Sequence, residues 1–177
     1  ANLAAAFQSA ALEAIADQMT TEDSSVQIVS MNGIGAGPSN ESQTLTFTAV
    51  SSDSALVPDP VIIYSAPSST GTLSYAPSAN AHGTATITVI LRDNGGTANS
   101  GIDTSVEQTF TISVLAVNDV PSFTKGPDQT VLEDAGKQTL ANWAPSLSAG
   151  PANESTQKLS FVVSNNNKAL FAAQPAI

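Results

Sequence analysis

Cysteine is absent from the 177 residues, which excludes a disulfide framework and any thiolate metal centre. A small domain without disulfides is held by its apolar core, by bound metal or by neighbouring repeats. Histidine occurs once, at His82 in an Asn-Ala-His-Gly turn, so a multi-histidine metal site and a Ser-His-Asp triad lack their parts. Basic residues number 5 against 15 acidic ones, for a net charge of -10. Such a surface repels phosphate backbones and anionic headgroups, which argues against nucleic acid and against membrane insertion. No lysine lies between residues 10 and 119, so a lysine isopeptide cross-link is closed to that stretch. Aromatic residues make up only 5% of the chain. A carbohydrate-binding module, which needs several exposed rings on one face, therefore rests on Tyr64, Tyr75 and Trp143 alone and ranks low.

What the chain does have is Thr, Ser, Asn, Gly and Pro in quantity, the composition of strands and turns. Its surplus carboxylates suit hard divalent cations such as calcium, which take oxygen ligands. No nucleophile motif, cofactor fingerprint or paired-carboxylate signature is visible, so an enzyme is not expected. The setting expected from this composition is extracellular or at the cell surface.

A repeat organises the sequence. Asp-Gln-Met-Thr-Thr-Glu-Asp, residues 17–23, returns as Asp-Gln-Thr-Val-Leu-Glu-Asp, residues 128–134. Gly-Pro-Ser-Asn-Glu-Ser at 37–42 returns as Gly-Pro-Ala-Asn-Glu-Ser at 150–155, and the run from Leu45 returns from Leu159. The order is kept throughout. Residues 1–9 read as a leading linker, helix or lent strand, residues 10–119 as a complete repeat, and residues 120–177 as the first half of a second copy. Half a sandwich leaves an open core and free strand edges, so either further chain or another copy is expected to supply the remainder.

Period-two alternation marks the strands. Leu45, Phe47 and Ala49 share one face, as do Leu73 and Tyr75, then Ile87, Val89 and Leu91, then Phe110, Ile112 and Val114; Leu159, Phe161 and Val163 repeat the first pattern. Leu3, Phe7, Leu12, Ile15 and Met19 would fit a helix face over residues 1–19, but from about Ala10 alignment of the two copies sets Leu12 against Phe123 and favours an atypical leading strand. Turn-forming strings between these segments predict an all-β fold of tandem Greek-key, immunoglobulin-like or cadherin-like β-sandwich repeats, the second incomplete. In the Arg-Asp-Asn-Gly-Gly string, Asn94 and Gly95 are the expected left-handed turn residues.

The segment from Thr86 to Phe123, with its Arg-Asp-Asn-Gly-Gly turn, final alternating strand and Val-Asn-Asp-Val-Pro linker, resembles the end of a cadherin repeat and its junction with the next. It is closer still to the tandem cadherin-like repeats of large bacterial surface and secreted proteins. The resemblance implies calcium near the junction, with Asn118 and Asp119 matching the linker, Asp93 the acid before the Gly-rich turn, Asp53 an acid after the second strand, and Glu22 and Glu133 the early glutamate. The Asp-Arg-Glu string of cadherins is missing, and Asn165, Asn166 and Asn167 stand where Asp53 stands in the first copy. Fewer charged ligands imply weaker calcium binding. On the residues alone, Asn118-Asp119 also reads as a simple turn ahead of Pro121, and Asp23 and Asp134 as solvated charges. Glu41 and Glu154 read as loop-shaping.

The function these observations imply is a structural or adhesive module forming an extended stalk, stiffened by calcium, with neighbouring repeats, copies of the same protein or a cell-surface or matrix target as partners. The alternative is a subunit of an extracellular filament assembled by strand complementation between chains.

Overall fold

The structure, a computed structural model, describes residues 9–37, 43–98 and 101–177. The expectations for residues 1–8 and Glu41 fall outside that set. The chain divides into two compact units, Ala1–Val117 and Asn118–Ile177.

The first unit is all-β. Among its described residues seven strands follow in order: β1 (Gln18–Thr21), β2 (Gln27–Met31), β3 (Leu45–Ser51), β4 (Val61–Ile63), β5 (Gly71–Tyr75), β6 (Gly83–Asp93) and β7 (Gln108–Leu115). One sheet has the order β1-β7-β6-β3 and the other β2-β5-β4. The chain changes sheet between β1 and β2, between β2 and β3, between β3 and β4, and between β5 and β6, which is the Greek-key wiring of an immunoglobulin-like sandwich. Within each sheet the pairs are antiparallel except β1 with β7, which run parallel.

Alternation explains the core. In β6, Ala85, Ile87, Val89 and Leu91 point inward and are fully buried, and Phe110, Ile112 and Val114 do the same in β7. Val29, Met31, Leu73 and Tyr75 face them from the second sheet, in one cluster that also holds Ala10, Leu12 and Ile15. Burial pushes the Tyr75 phenol above its ordinary pKa. Thr and Ser take many of the outward positions, as a half-solvated sheet requires.

Residues 9–19 form no helix, in line with the extended leading segment that alignment of the two copies favours: an isolated bridge joins Ala11 to Gly35, β1 begins at Gln18, and Met19 points to solvent. Two expectations need correction. The left-handed residue after Asp93 is Gly96, with φ +75°, rather than Asn94 or Gly95, because Asp93 Oδ1 accepts the Gly95 N–H and holds that residue in the turn. Residues 159–163 form no strand. Their alternation marks a face that would be buried, but no neighbouring segment among the described residues of the second unit offers a ladder, and an unpaired strand is not stable alone.

In the second unit the described residues hold two short 3-10 turns, Ala152–Glu154 and Lys168–Leu170, and one isolated bridge, Ser122 to Ser148. That bridge repeats one in the first unit. Ala11 and Gly35 exchange two backbone hydrogen bonds, at 2.8 and 3.1 Å, and Ser122 and Ser148 exchange two at 2.9 Å. Ala11 and Ser122 each stand six residues before the Asp that opens the repeated motif, and Gly35 and Ser148 each stand two before its Gly-Pro. Gly37 and Gly150 of that Gly-Pro both take positive φ, 127° and 156°. Phe123 also meets Phe161 edge-on, ring centres 5.2 Å apart. The second unit thus keeps the opening contacts of the sandwich without its sheets.

Candidate functional site

The repeated Asp-Gln-x-x-x-Glu motif has a visible task in the first unit. Asp17 lies opposite Thr111 in the parallel register that continues as Gln18 opposite Ile112, and its Oδ1 accepts the Thr111 N–H at 2.7 Å. At the other end of β1 the Glu22 N–H donates to the Leu115 carbonyl at 2.9 Å. The Glu22 side chain then reaches past its own register partner, and Oε1 accepts the Val117 N–H at 2.8 Å. The shorter Asp meets the residue facing it, whereas the longer Glu reaches one residue further. Two carboxylates therefore bracket β1 and fasten it to β7 at Thr111, partway along that strand, and at Val117, just past its end, as charge-assisted bonds to backbone donors. Glu22 is 2% exposed. His82 Nδ1 stands 3.8 Å from its Oε2, while Asp23 Oδ1 accepts the Asn80 N–H.

The residues expected to bind calcium are dispersed within this frame. Asp53 closes a turn, its Oδ1 accepting the Ala55 and Leu56 N–H groups. Asp93 ends β6 at the opposite end from Gly83, which pairs with Val114. Ten residues of strand, about 33 Å, thus separate Asp93 from the end at which the chain leaves through Val117. Glu22 does lie at that exit. In the second unit Glu133 is exposed. Asn118 Oδ1 accepts from Gln157 Nε2 at 3.1 Å, and its Nδ2 donates to the Asp119 carbonyl.

Glu154, read from sequence as loop-shaping, is the buried acid of the second unit, 5% exposed. Its Oε1 accepts the Asp119 N–H at 2.8 Å, and its Oε2 is buried with no hydrogen-bond partner among the described residues. A Cβ at Gly150 would overlap that Oε2 and stand 3.2 Å from the Asp119 Cβ, so the glycine is what lets the Glu154 carboxylate sit against the Asp119 backbone. Recurrence of Gly-Pro-x-Asn-Glu-Ser was the available signal for this contact. No group of three or more His, Cys, Asp or Glu is arranged to hold a metal among the described residues.

Trp143 is half-buried: its indole N–H donates to the Pro127 carbonyl at 3.0 Å, and its ring lies over Gly126. Between the free edges of β3 and β4 a shallow cleft of about 340 Å³ is lined by Leu45, Phe47, Ala49, Pro60, Ile62 and Tyr64. Tyr64 spends its hydroxyl on the Ser68 carbonyl. No helix among the described residues is long and apolar enough to cross a membrane.

No family model and no curated protein sequence matches this chain. Among solved structures, domains 4 and 5 of the S-layer protein SbsC align with 60% of this chain and 47% of that one, at 16% identity and a TM-score of 0.36. The aligned part is therefore about half of that protein's solved chain.

Proposed function

We propose that the chain is a spacer: a non-enzymatic, tandem β-sandwich module of an extracellular structural or adhesive protein. The observation that carries the reading is the placement of the two ends of the first unit. The chain enters at the Ala11–Gly35 bridge, runs through β1 in the same direction as β7, and leaves through Val117 beside Glu22. Start and exit thus lie at opposite ends of the sandwich, the wiring that lets repeats follow one another lengthwise. The repeated motifs supply the successor. Calcium as a stiffener has narrower support, the Asp119 and Glu154 carboxylates beside Gly150 together with the Asn118 amide. With two carboxylates rather than the fuller acidic set of a strong site, calcium would bind weakly, on the order of 10⁻⁴ to 10⁻³ M.

Small-angle X-ray scattering on chains lengthened by one, two and three inserted copies of residues 10–119 tests this. The maximum dimension is expected to grow by a constant increment of roughly 35–45 Å per copy, about the span of an eleven-residue strand such as β6 with its loops. Growth as the cube root of chain length would mean that the copies cluster, and the spacer reading would fall.

A further inference from the structure

We propose that the outer edge of β3 pairs with the β3 of a second copy of the chain, antiparallel about a two-fold axis at Phe47, so that two sandwiches join side by side. The proposal goes beyond the lengthwise spacer and stands on the first unit alone. β3 ends the sheet of order β1-β7-β6-β3, and among the described residues no strand or bridge pairs its far side. Backbone groups of an antiparallel strand alternate between its two sides. The Thr44 N–H donates to Asn94 Oδ1 and the Ser52 N–H to the Thr86 carbonyl, both on the β6 side. The N–H and C=O groups of Leu45, Phe47, Ala49 and Ser51 therefore face outward, where Asp59 Oδ1 accepts the Ser51 N–H at 2.8 Å. Asp59 thus closes one end of the edge and leaves Leu45, Phe47 and Ala49 open.

The other edges are guarded. β1 has four residues flanked by Asp17 and Glu22, and β4 has three, with Pro58 and Pro60 before it and Pro67 after. The chain leaving β2 is met by the leading segment, through the Glu13 N–H on the Asn32 carbonyl and the Ala11–Gly35 bridge. Charges, prolines and covering segments of this kind keep sheet edges from pairing. β3 has seven residues, Leu-Thr-Phe-Thr-Ala-Val-Ser, without charge, proline or glycine. Charge and shape then select the occupant. Arg92 is the sole Lys or Arg of residues 1–117, and two such acidic surfaces approach closely only where neither carries charge. Pairing about Phe47 sets Phe47 against its twin, Leu45 against Ala49 and Thr46 against Thr48, an aromatic pair, large-with-small pairs and Thr–Thr pairs. The twin's inward side chains also cover the cleft at which Phe47 and Tyr64, both half-buried, stand with ring centres 5.3 Å apart.

Sedimentation velocity of the full chain, from micromolar to millimolar concentration, is expected to show a monomer passing to a dimer with a dissociation constant on the order of 10⁻⁵ M. Thr48 is exposed, and in the dimer it faces Thr46 of the copy, whose own neighbour on β6 is Arg92. Thr48→Lys therefore sets like charges along one row and is expected to weaken the dimer about tenfold or more. Ala49→Pro deletes an outward N–H at an edge position, where proline is tolerated, and is expected to do the same. Thr86→Lys, on the same face but within β6, is expected to leave the dimer unchanged. Residue-resolved amide exchange reads the edge itself: Leu45, Phe47 and Ala49 are expected to slow as concentration rises, whereas Thr46 and Thr48, bonded to β6, are slow throughout. A chain that stays monomeric to millimolar concentration, or a dimer unaffected by Thr48→Lys, would overturn the proposal. So would association that leaves exchange at Leu45, Phe47 and Ala49 unchanged, because another surface would then carry it.

Discussion

Glu22→Ala is expected to lower the unfolding free energy of the first unit by about 3 kcal/mol, the largest effect of any charged residue described here. The substitution removes a buried acceptor from the Val117 N–H and leaves that donor without its partner, and hydrogen bonds to charged groups carry about 1.5–3 kcal/mol with a further desolvation cost for the orphan. Asp17→Ala removes the matching bond at the other end of β1. Because Asp17 is solvent-exposed, water replaces it as acceptor and the loss is expected near 1 kcal/mol. Glu22→Gln keeps a carbonyl oxygen within reach of Val117 and is expected to fall between the two. Urea unfolding followed by far-ultraviolet circular dichroism measures all three. A Glu22→Ala loss below about 0.5 kcal/mol, the range of an ordinary surface substitution, would remove the clamp from the account.

The second large effect concerns where the apolar core lies. Ile87 is fully buried at the centre of β6, between Ser51 on β3 and Phe110 on β7, and Ile87→Ala is expected to cost about 2–5 kcal/mol through lost transfer energy and the cavity left behind. Leu170, 72% exposed in the second unit, makes the contrast: Leu170→Ala is expected to change the unfolding midpoint by less than about 0.5 kcal/mol. The same chemical truncation thus separates a unit with two facing sheets from one whose apolar side chains are largely in solvent. Comparable losses for both variants would mean that the second unit carries a core of its own.

Much of the first unit could be read from its residues. The alternation in β3, β5, β6 and β7 names the inward face of each strand correctly, because Thr and Ser at the intervening positions leave the period unobscured. β2 and β4 are less legible. Ile28 in β2 and Val61 and Ile63 in β4 are apolar yet exposed, so both faces of these short strands look alike and the period disappears. Residues 159–163 show the opposite problem, since their pattern specifies which side chains would be buried but cannot provide the strand against which to bury them.

The acidic motif was visible as a repeat, whereas its role was not. Asp17 and Glu22 find partners 94 and 95 residues away, and no local spacing announces that a carboxylate will meet a backbone N–H across a parallel pair. Reading the acids against cadherin junctions drew attention to cations, while the placement of Glu22 at β7 and of Glu154 at Asp119 gives each a backbone donor to hold. Gly150 beside Glu154 shows what the sequence did offer: a glycine, with positive φ in both copies, recurring at a fixed distance before the acid.

Native-state amide hydrogen exchange on the full chain tests the motif's role most directly, because it reads the donors themselves. The Thr111 and Val117 amides are expected to exchange as slowly as those of Ile87 and Ile112 in the core, and Glu22→Ala is expected to release Val117 selectively. Amides of residues 128–134, which are exposed and outside any strand, are expected to exchange at nearly unfolded rates in the same sample. Fast exchange at Thr111 and Val117 in the unaltered chain would contradict the claim that Asp17 and Glu22 fasten β1 to β7.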